Sequence, residues 1–182
     1  TISDLYNNKS NMKVVLLDKL YLGNVRFDGI PAIVSEFGDL PWSCFNIDGF
    51  IGSNLLRNSV IKIDLNKQYI LLSDELQRDL GYKNMSSIDM TLNRQSSPYI
   101  NLSLSDNIEE KFLFDTGSDQ FISLNSEKFN ESREYLQIKD LKNGFGAGSM
   151  GLFGTGKKKP TYKLRLDSVM FGNYRITNPV LR

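Results

Sequence analysis

The residues best placed to do chemistry lie in one stretch, 112–124, which reads FLFDTGSDQFISL. Asp115, Thr116, Gly117 and Ser118 follow three apolar residues and precede a second apolar run at 121–124. A buried strand that runs into Asp-Thr-Gly presents one carboxylate at a tight turn while both flanks anchor in a core. Gly117 permits the close turn. Thr116 can donate a hydrogen bond across an interface, and the Ser118 hydroxyl can bond the carboxylate. A carboxylate presented in this way suits acid–base chemistry. The plainer alternative is a structural turn in which Asp115 accepts local backbone N–H bonds.

Other chemistry finds little support. The chain has no histidine, which removes Ser-His-Asp and Cys-His mechanisms in their usual form and His-based zinc sites. The one cysteine, Cys44, lies near Trp42 and Phe45 with no base close in sequence, as expected of a half-buried apolar thiol. Asp106, Glu109 and Glu110 read as a polar hairpin tip and not as a metal site. The run GAGSMGLFG lacks the Gly-Lys-Ser/Thr ending of a phosphate-binding loop, and Lys157, Lys158 and Lys159 read as a solvated loop. No metal and no cofactor are predicted.

The elements that would position Asp115 are mostly strands. Short apolar or alternating runs occur at 14–17, 21–22, 30–34, 60–65, 69–72, 99–104, 111–114, 162–166 and 169–171, bounded by Gly, Asn, Asp or Pro. Short helices are predicted at 53–58, after Gly52, at 74–80, ended by Gly81, and at 126–136, with Ser126 as a weak N-cap. Residues 83–98, rich in Ser, Asn and Met, read as a linker. Residues 143–159 hold six of the 14 glycines and read as a mobile hairpin or loop.

An internal repeat frames these elements. Residues 17–29, LDKLYLGNVRFDG, match residues 166–178, LDSVMFGNYRITN, without a gap. Leu17, Asp18, Gly23, Asn24 and Arg26 coincide with Leu166, Asp167, Gly172, Asn173 and Arg175 at an offset of 149 residues. A strand, a Gly-Asn turn and a strand arising twice by chance is the simpler account, but five identities in one register exceed what hairpin chemistry demands. The repeat places a counterpart of Asp115 upstream of Thr1 and one of Gly52 beyond Arg182. The chain does not begin with Met, in keeping with a start inside a longer precursor.

The stretch around Asp115 resembles the retropepsin-like and pepsin-like aspartic proteases, whose signature is two apolar residues, Asp, Thr or Ser, Gly, then Ser or Ala. A second stretch, residues 48–72, resembles the late part of such a lobe: Asp-Gly, two apolar residues and Gly, then a short helix and two strands. In that pattern Phe50, Ile51 and Gly52 pack beside the catalytic turn, and Asp48 is not catalytic. The style is similar to bacterial tandem retropepsin-like proteins. The resemblance covers roughly residues 12–72 and 98–182. It implies a mainly β fold, a closed acid-protease β-barrel lobe with one or two short helices. Residues 1–82 would be the late half of a first lobe, 83–98 a linker, and 99–182 the early half of a second. Two arrangements stay open: a permuted lobe, in which Phe50–Gly52 dock against Asp115–Ser118, or halves completed by other chain segments.

The resemblance further implies an aspartic endopeptidase. Two carboxylates facing each other cannot both ionise and share one proton. The charged member takes a proton from water, and the neutral one polarises the scissile carbonyl. With a single Asp-Thr-Gly, the partner carboxylate must come from a second lobe or a homodimer. A flap would lie at Gly144, Phe145, Gly146, Gly148, Met150 and Gly151, closing over an extended peptide or protein substrate. The rival expectation is a non-catalytic module that keeps the fold for peptide binding or assembly. A formal charge of +1 gives no ground for nucleic-acid affinity. No apolar run approaches the ~20 residues of a membrane helix, and no signal peptide is visible at the N-terminus. Family resemblance alone suggests an extracytoplasmic site in a bacterium.

Overall fold

The computed structural model describes residues 2–3, 9–34, 47–75, 87–106, 108–118, 120–146, 150–151, 154–155 and 159–182. The chain is mainly β, as expected, with two short helices among the described residues. It divides into two compact units. The first comprises Thr1–Leu76 and Ala147–Lys158, and the second Gln77–Gly146 and Lys159–Arg182.

The second unit holds the core. Strand β8 (Pro98–Ser105) alternates with period two, burying Ile100, Leu102 and Leu104 on one face. Its residues Ile100 and Ser103 each have a partner on either side. Strand β9 (Ile108–Leu113) runs along one edge. Strand β7 (Met90–Leu92) and then β14 (Ser168–Phe171) share the other. Strand β15 (Tyr174–Thr177) extends β14 into a five-stranded sheet. A second sheet orders β10 (Ile138–Gly146), β13 (Lys159–Leu166) and β16 (Val180–Leu181). Leu164, Leu166, Val169 and Leu181 bring the two sheets into one cluster with Ile122, Phe129 and Leu136. Helix α2 (Ser126–Ser132) closes it, with Phe129 stacked on Tyr162 at 5.6 Å. Its N-cap is Asn125, not Ser126: the Asn125 side chain accepts the Lys128 N–H at 2.8 Å. The helix stops at Ser132, short of the predicted 136.

The first unit is built of hairpins. Strands β3 (Lys13–Leu22) and β4 (Val25–Val34) form the longest. Helix α1 (Ser53–Leu56) is followed by the pair β5 (Val60–Asp64) and β6 (Tyr69–Ser73). Short pairs join β1 (Ile2–Ser3) to β2 (Lys9–Ser10), and β11 (Met150–Gly151) to β12 (Gly154–Thr155). No described residue of this unit whose side chain is defined is buried.

Three expectations need correction or fall outside the described residues. The closed barrel is not seen: the described strands form six separate sheets, and nothing joins β9 to β15 across the five-stranded one. The segment predicted as a linker, 83–98, contains β7, which pairs with β8 from Met90↔Ile100 to Leu92↔Pro98. Three residues are too few to show a period, and the strand exists because an edge of β8 is there to receive it. The helix predicted at 74–80 lies mostly outside the described residues.

The sequence repeat is also a repeat of conformation. The turns place Gly23 at φ +58° and Gly172 at +57°. The pairs Leu22↔Val25, Tyr21↔Arg26, Leu20↔Phe27 and Lys19↔Asp28 recur, 149 residues on, as Phe171↔Tyr174, Met170↔Arg175, Val169↔Ile176 and Ser168↔Thr177. The match continues past the sequence identities. Gly29 stands at φ +64° and its counterpart Asn178 at +51°. Asparagine tolerates the left-handed region because its short polar side chain can bond locally. Val15↔Ala32 likewise corresponds to Leu164↔Leu181.

Candidate active site

Asp115 follows β9 in an exposed turn. At the entrance, the Phe114 N–H donates to the Pro98 carbonyl at 2.9 Å, extending the β8–β9 ladder by one residue. At the exit, Ile122 is buried and forms a parallel bridge with Leu181. There the Arg182 N–H donates to the Ile122 carbonyl at 3.0 Å, and the Leu124 N–H donates to the Arg182 carbonyl at 2.8 Å. The loop thus hangs between two backbone clamps, each anchored in the core of the second unit.

Within the loop, the Gly117 N–H donates to Asp115 Oδ1 at 2.9 Å, and the Ser118 N–H donates to the Asp115 carbonyl at 3.2 Å. These bonds fix the turn with the carboxylate outward. No other donor reaches that carboxylate among the described residues. The local turn expected as the plainer alternative is therefore real, and Asp115 is exposed within it. Ser118 departs from expectation. Its hydroxyl donates to the Gln120 carbonyl and accepts the Gln120 N–H, both at 3.1 Å, instead of bonding the Asp115 carboxylate. A serine two residues before a backbone N–H finds it within easy reach, so the local bond wins. Thr116 is exposed.

The approach to the turn is less buried than predicted. Phe112 packs against the core, but Leu113 and Phe114 are 43% and 45% exposed. Phe121, on the far side of the loop, is 54% exposed. Three large apolar side chains therefore flank one outward carboxylate. Helix α2 is held to β9 nearby: Lys128 Nζ lies 3.1 Å from Glu131 and 3.5 Å from Glu110. The hydrogen bond to Glu131, with the charge of Glu110 added, raises the Lys128 pKa above its ordinary value.

The remaining candidate residues fall in different places. Phe50, Ile51 and Gly52 belong to the first unit and Asp115 to the second. Phe50 and Ile51 are each 56% exposed, and Gly52 caps α1, its carbonyl accepting the Leu55 N–H at 3.1 Å. Of the flap candidates, Gly144, Phe145 and Gly146 lie at the end of β10, opposite Thr161, Pro160 and Lys159 of β13. A Cβ at Gly144 would come within 3.0 Å of Thr161 Oγ1, so glycine suits this close pairing. Phe145 is 71% exposed. Met150 and Gly151 form β11, and Gly148 lies outside the described residues. The part of the predicted mobile loop up to Gly146 is thus paired strand.

Sequence reasoning missed Pro98, Gln120 and Arg182, whose backbone groups or neighbours hold the loop. Their contribution is made through main-chain atoms, which leave no mark on residue type. No group of three or more metal-ligating side chains occurs among the described residues, and no described helix is long and apolar enough to cross a membrane. No family model matches the chain, and neither do curated proteins or solved structures.

Proposed function

We propose that the chain is part of an aspartic endopeptidase of retropepsin type, with Asp115 as one of two carboxylates that activate water. The observation that carries this reading is the exposed Asp115 at a turn bonded by the Gly117 N–H, with exposed Leu113, Phe114 and Phe121 close by in sequence. Exposed apolar side chains in the strand and loop on either side of one carboxylate suit the approach of a second, equivalent surface and of an extended peptide between the two. The second carboxylate comes from another lobe or another copy of the chain. One carboxylate removes a proton from water as its oxygen attacks the scissile carbonyl carbon. The other gives its proton to the carbonyl oxygen. The resulting tetrahedral diol collapses, a proton passes to the amide nitrogen, and the C–N bond breaks. No metal or cofactor takes part, and the end of β10 at Gly144–Gly146 is the candidate flap.

The test is cleavage of extended peptides at acidic pH over a range of chain concentrations. A homodimeric site gives a rate that rises with the square of concentration below the dimer dissociation constant. Asp115→Asn lowers the rate by about 10²–10⁴-fold, the usual worth of a positioned acid or base. Cleavage that is unchanged in Asp115→Asn overturns the reading. Binding of the same peptides without cleavage, at every concentration and with a second lobe supplied, favours the non-catalytic peptide-binding module.

A further inference from the structure

Among the described residues, the β10–β13–β16 sheet is covered on one face. Leu164, Leu166 and Leu181 turn into the core, and Phe129 of α2 stacks on Tyr162 from that side. The alternation of strand residues puts Lys163 and Arg165 on the other face. Lys142 lies directly across from Lys163, Asp140 across from Arg165, and Val180 on the far side of Arg165. All five of these residues are exposed. Like charges set directly opposite each other in a sheet repel, as Lys142 and Lys163 do here. The one described carboxylate on this face, Asp140, comes no nearer to Lys142 than 3.7 Å. Lys163 makes no ion pair with any described residue, and Arg165 donates to the Asn178 carbonyl at 3.4 Å.

The same unit carries the opposite balance elsewhere. Between β9 and α2 lies a groove of about 450 Å³ lined by Ile108, Glu109, Glu110, Glu131, Ser132 and Tyr135. Its three carboxylates share one cation, Lys128, which lies 3.5 Å from Glu110 and 3.1 Å from Glu131. Glu109 is exposed and makes no ion pair with any described residue. Within one molecule the groove and the cationic face do not meet, because α2 stands on the core side of the sheet whose other face carries the cations.

We infer that the exposed face of the β10–β13–β16 sheet is a docking surface for a second copy of this chain, which it meets at the groove between β9 and α2. Three cations and one carboxylate on the sheet face three carboxylates and one cation at the groove. Val180 and Tyr135, 44% and 62% exposed, give each side an apolar group beside its charges. The contact joins two different surfaces, so a bound pair still presents one cationic face and one acidic groove. Association is therefore head to tail and continues beyond a dimer unless it closes into a ring. Salt weakens it, because the charges are exposed and the screening length falls from ~30 Å at ~0.01 M salt to ~8 Å at ~0.15 M. The contact does not depend on the chain being a peptidase, and it is read without measuring activity.

The experiment is sedimentation velocity of the full chain over a range of concentrations, in ~0.01 M and ~0.15 M salt. Wild type is expected to pass beyond a dimer at the lower salt and to associate at least about 10-fold more weakly at the higher. One variant neutralises the cationic face, Lys163→Gln with Arg165→Gln. The other neutralises the groove, Glu109→Gln with Glu131→Gln. All four side chains are exposed, so both variants keep the fold. Each alone is expected to associate at least about 10-fold more weakly than wild type. An equimolar mixture of the two is expected to recover the association and to stop at a heterodimer. The intact groove of the first variant takes the intact sheet face of the second, and the two outer surfaces are then neutralised. Wild type that stays monomeric at the lower salt overturns the inference. So does an association that neither variant weakens, or a mixture that pairs no better than its components.

Discussion

Gly23 and Gly172 offer a controlled comparison, because they share a turn type, a φ angle and a sequence context but not a neighbourhood. Both stand in the left-handed region, at φ +58° and +57°. A side chain there costs roughly 1–2 kcal/mol. At Gly23 an added Cβ meets nothing within 4 Å, so Gly23→Ala should cost only that conformational term. At Gly172 the same Cβ would run into the backbone carbonyl oxygen of Ser87 and also lie 3.7 Å from Ile88 Cβ. Backbone cannot swing aside as a flexible side chain can, and overpacking of this kind adds roughly 1–3 kcal/mol. Gly172→Ala should therefore cost roughly 2–5 kcal/mol in all. Native-state hydrogen exchange resolves the two hairpins separately, which a global melt of a two-unit chain does not. About 1.4 kcal/mol is a factor of ten, so Gly23→Ala lowers protection near its turn by about 5–30-fold, and Gly172→Ala by about 30- to 4,000-fold. Asparagine separates the two contributions, because it tolerates the left-handed region. Gly23→Asn should cost well under about 1 kcal/mol, while Gly172→Asn keeps the roughly 1–3 kcal/mol of crowding. Equal losses in the two alanine variants, or a harmless Gly172→Asn, would refute the placement of Ser87 against the turn.

Two further outcomes follow from single contacts. Asn125→Ala removes the acceptor for the Lys128 N–H and should destabilise α2 by about 1 kcal/mol, seen as a loss of protection confined to the amides of that helix. The Asp167 carboxyl is held below its ordinary value of 3.8, chiefly by its hydrogen bond to Lys139 and then by that residue's charge. A depressed carboxyl stabilises fully above its unfolded value and loses that contribution as pH falls through the folded one. Urea midpoints for the second unit should therefore drop below about pH 3.8, with the drop made smaller by Lys139→Met and by high salt, since both side chains are well exposed.

Much of the fold is legible in residue pattern, for reasons that vary with the element. The alternation of Ile100, Leu102 and Leu104 against Asn101 and Ser103 announces β8, because one face of that strand meets the core and the other does not. The hairpins are legible through Leu-Gly-Asn and Phe-Gly-Asn, whose glycines answer a backbone requirement. Asn178 meets the same requirement as Gly29 with a different residue, so an identity count misses it. Strand β7 is invisible because Met90–Leu92 has no period of its own and forms by pairing with β8. The helix predicted over 126–136 has Asn125 and not Ser126 as its cap and ends at Ser132, since Asn125 and Ser126 both carry a suitable oxygen and residue type does not choose between them. At the candidate site, the Asp-Thr-Gly turn was legible, while the bond from Ser118 to Gln120 was not: a serine hydroxyl has several partners within reach, and sequence does not rank them.

The clamp between Ile122 and Arg182 gives the Asp115 turn a timetable. During synthesis, Asp115 and its strand leave the ribosome well before the segment that secures the far side of the turn, since Ile122 precedes its partner by about 60 residues. The β8–β9 hairpin can pair as soon as it emerges, because its contacts are local. The exit of the turn must wait for β16, and chains are made at roughly 5–20 residues per second. For several seconds the growing chain holds a paired entrance strand and an unsecured exit. The carboxylate takes its final position only once the downstream strand has arrived, so the order in which the chain is made sets when this turn is complete.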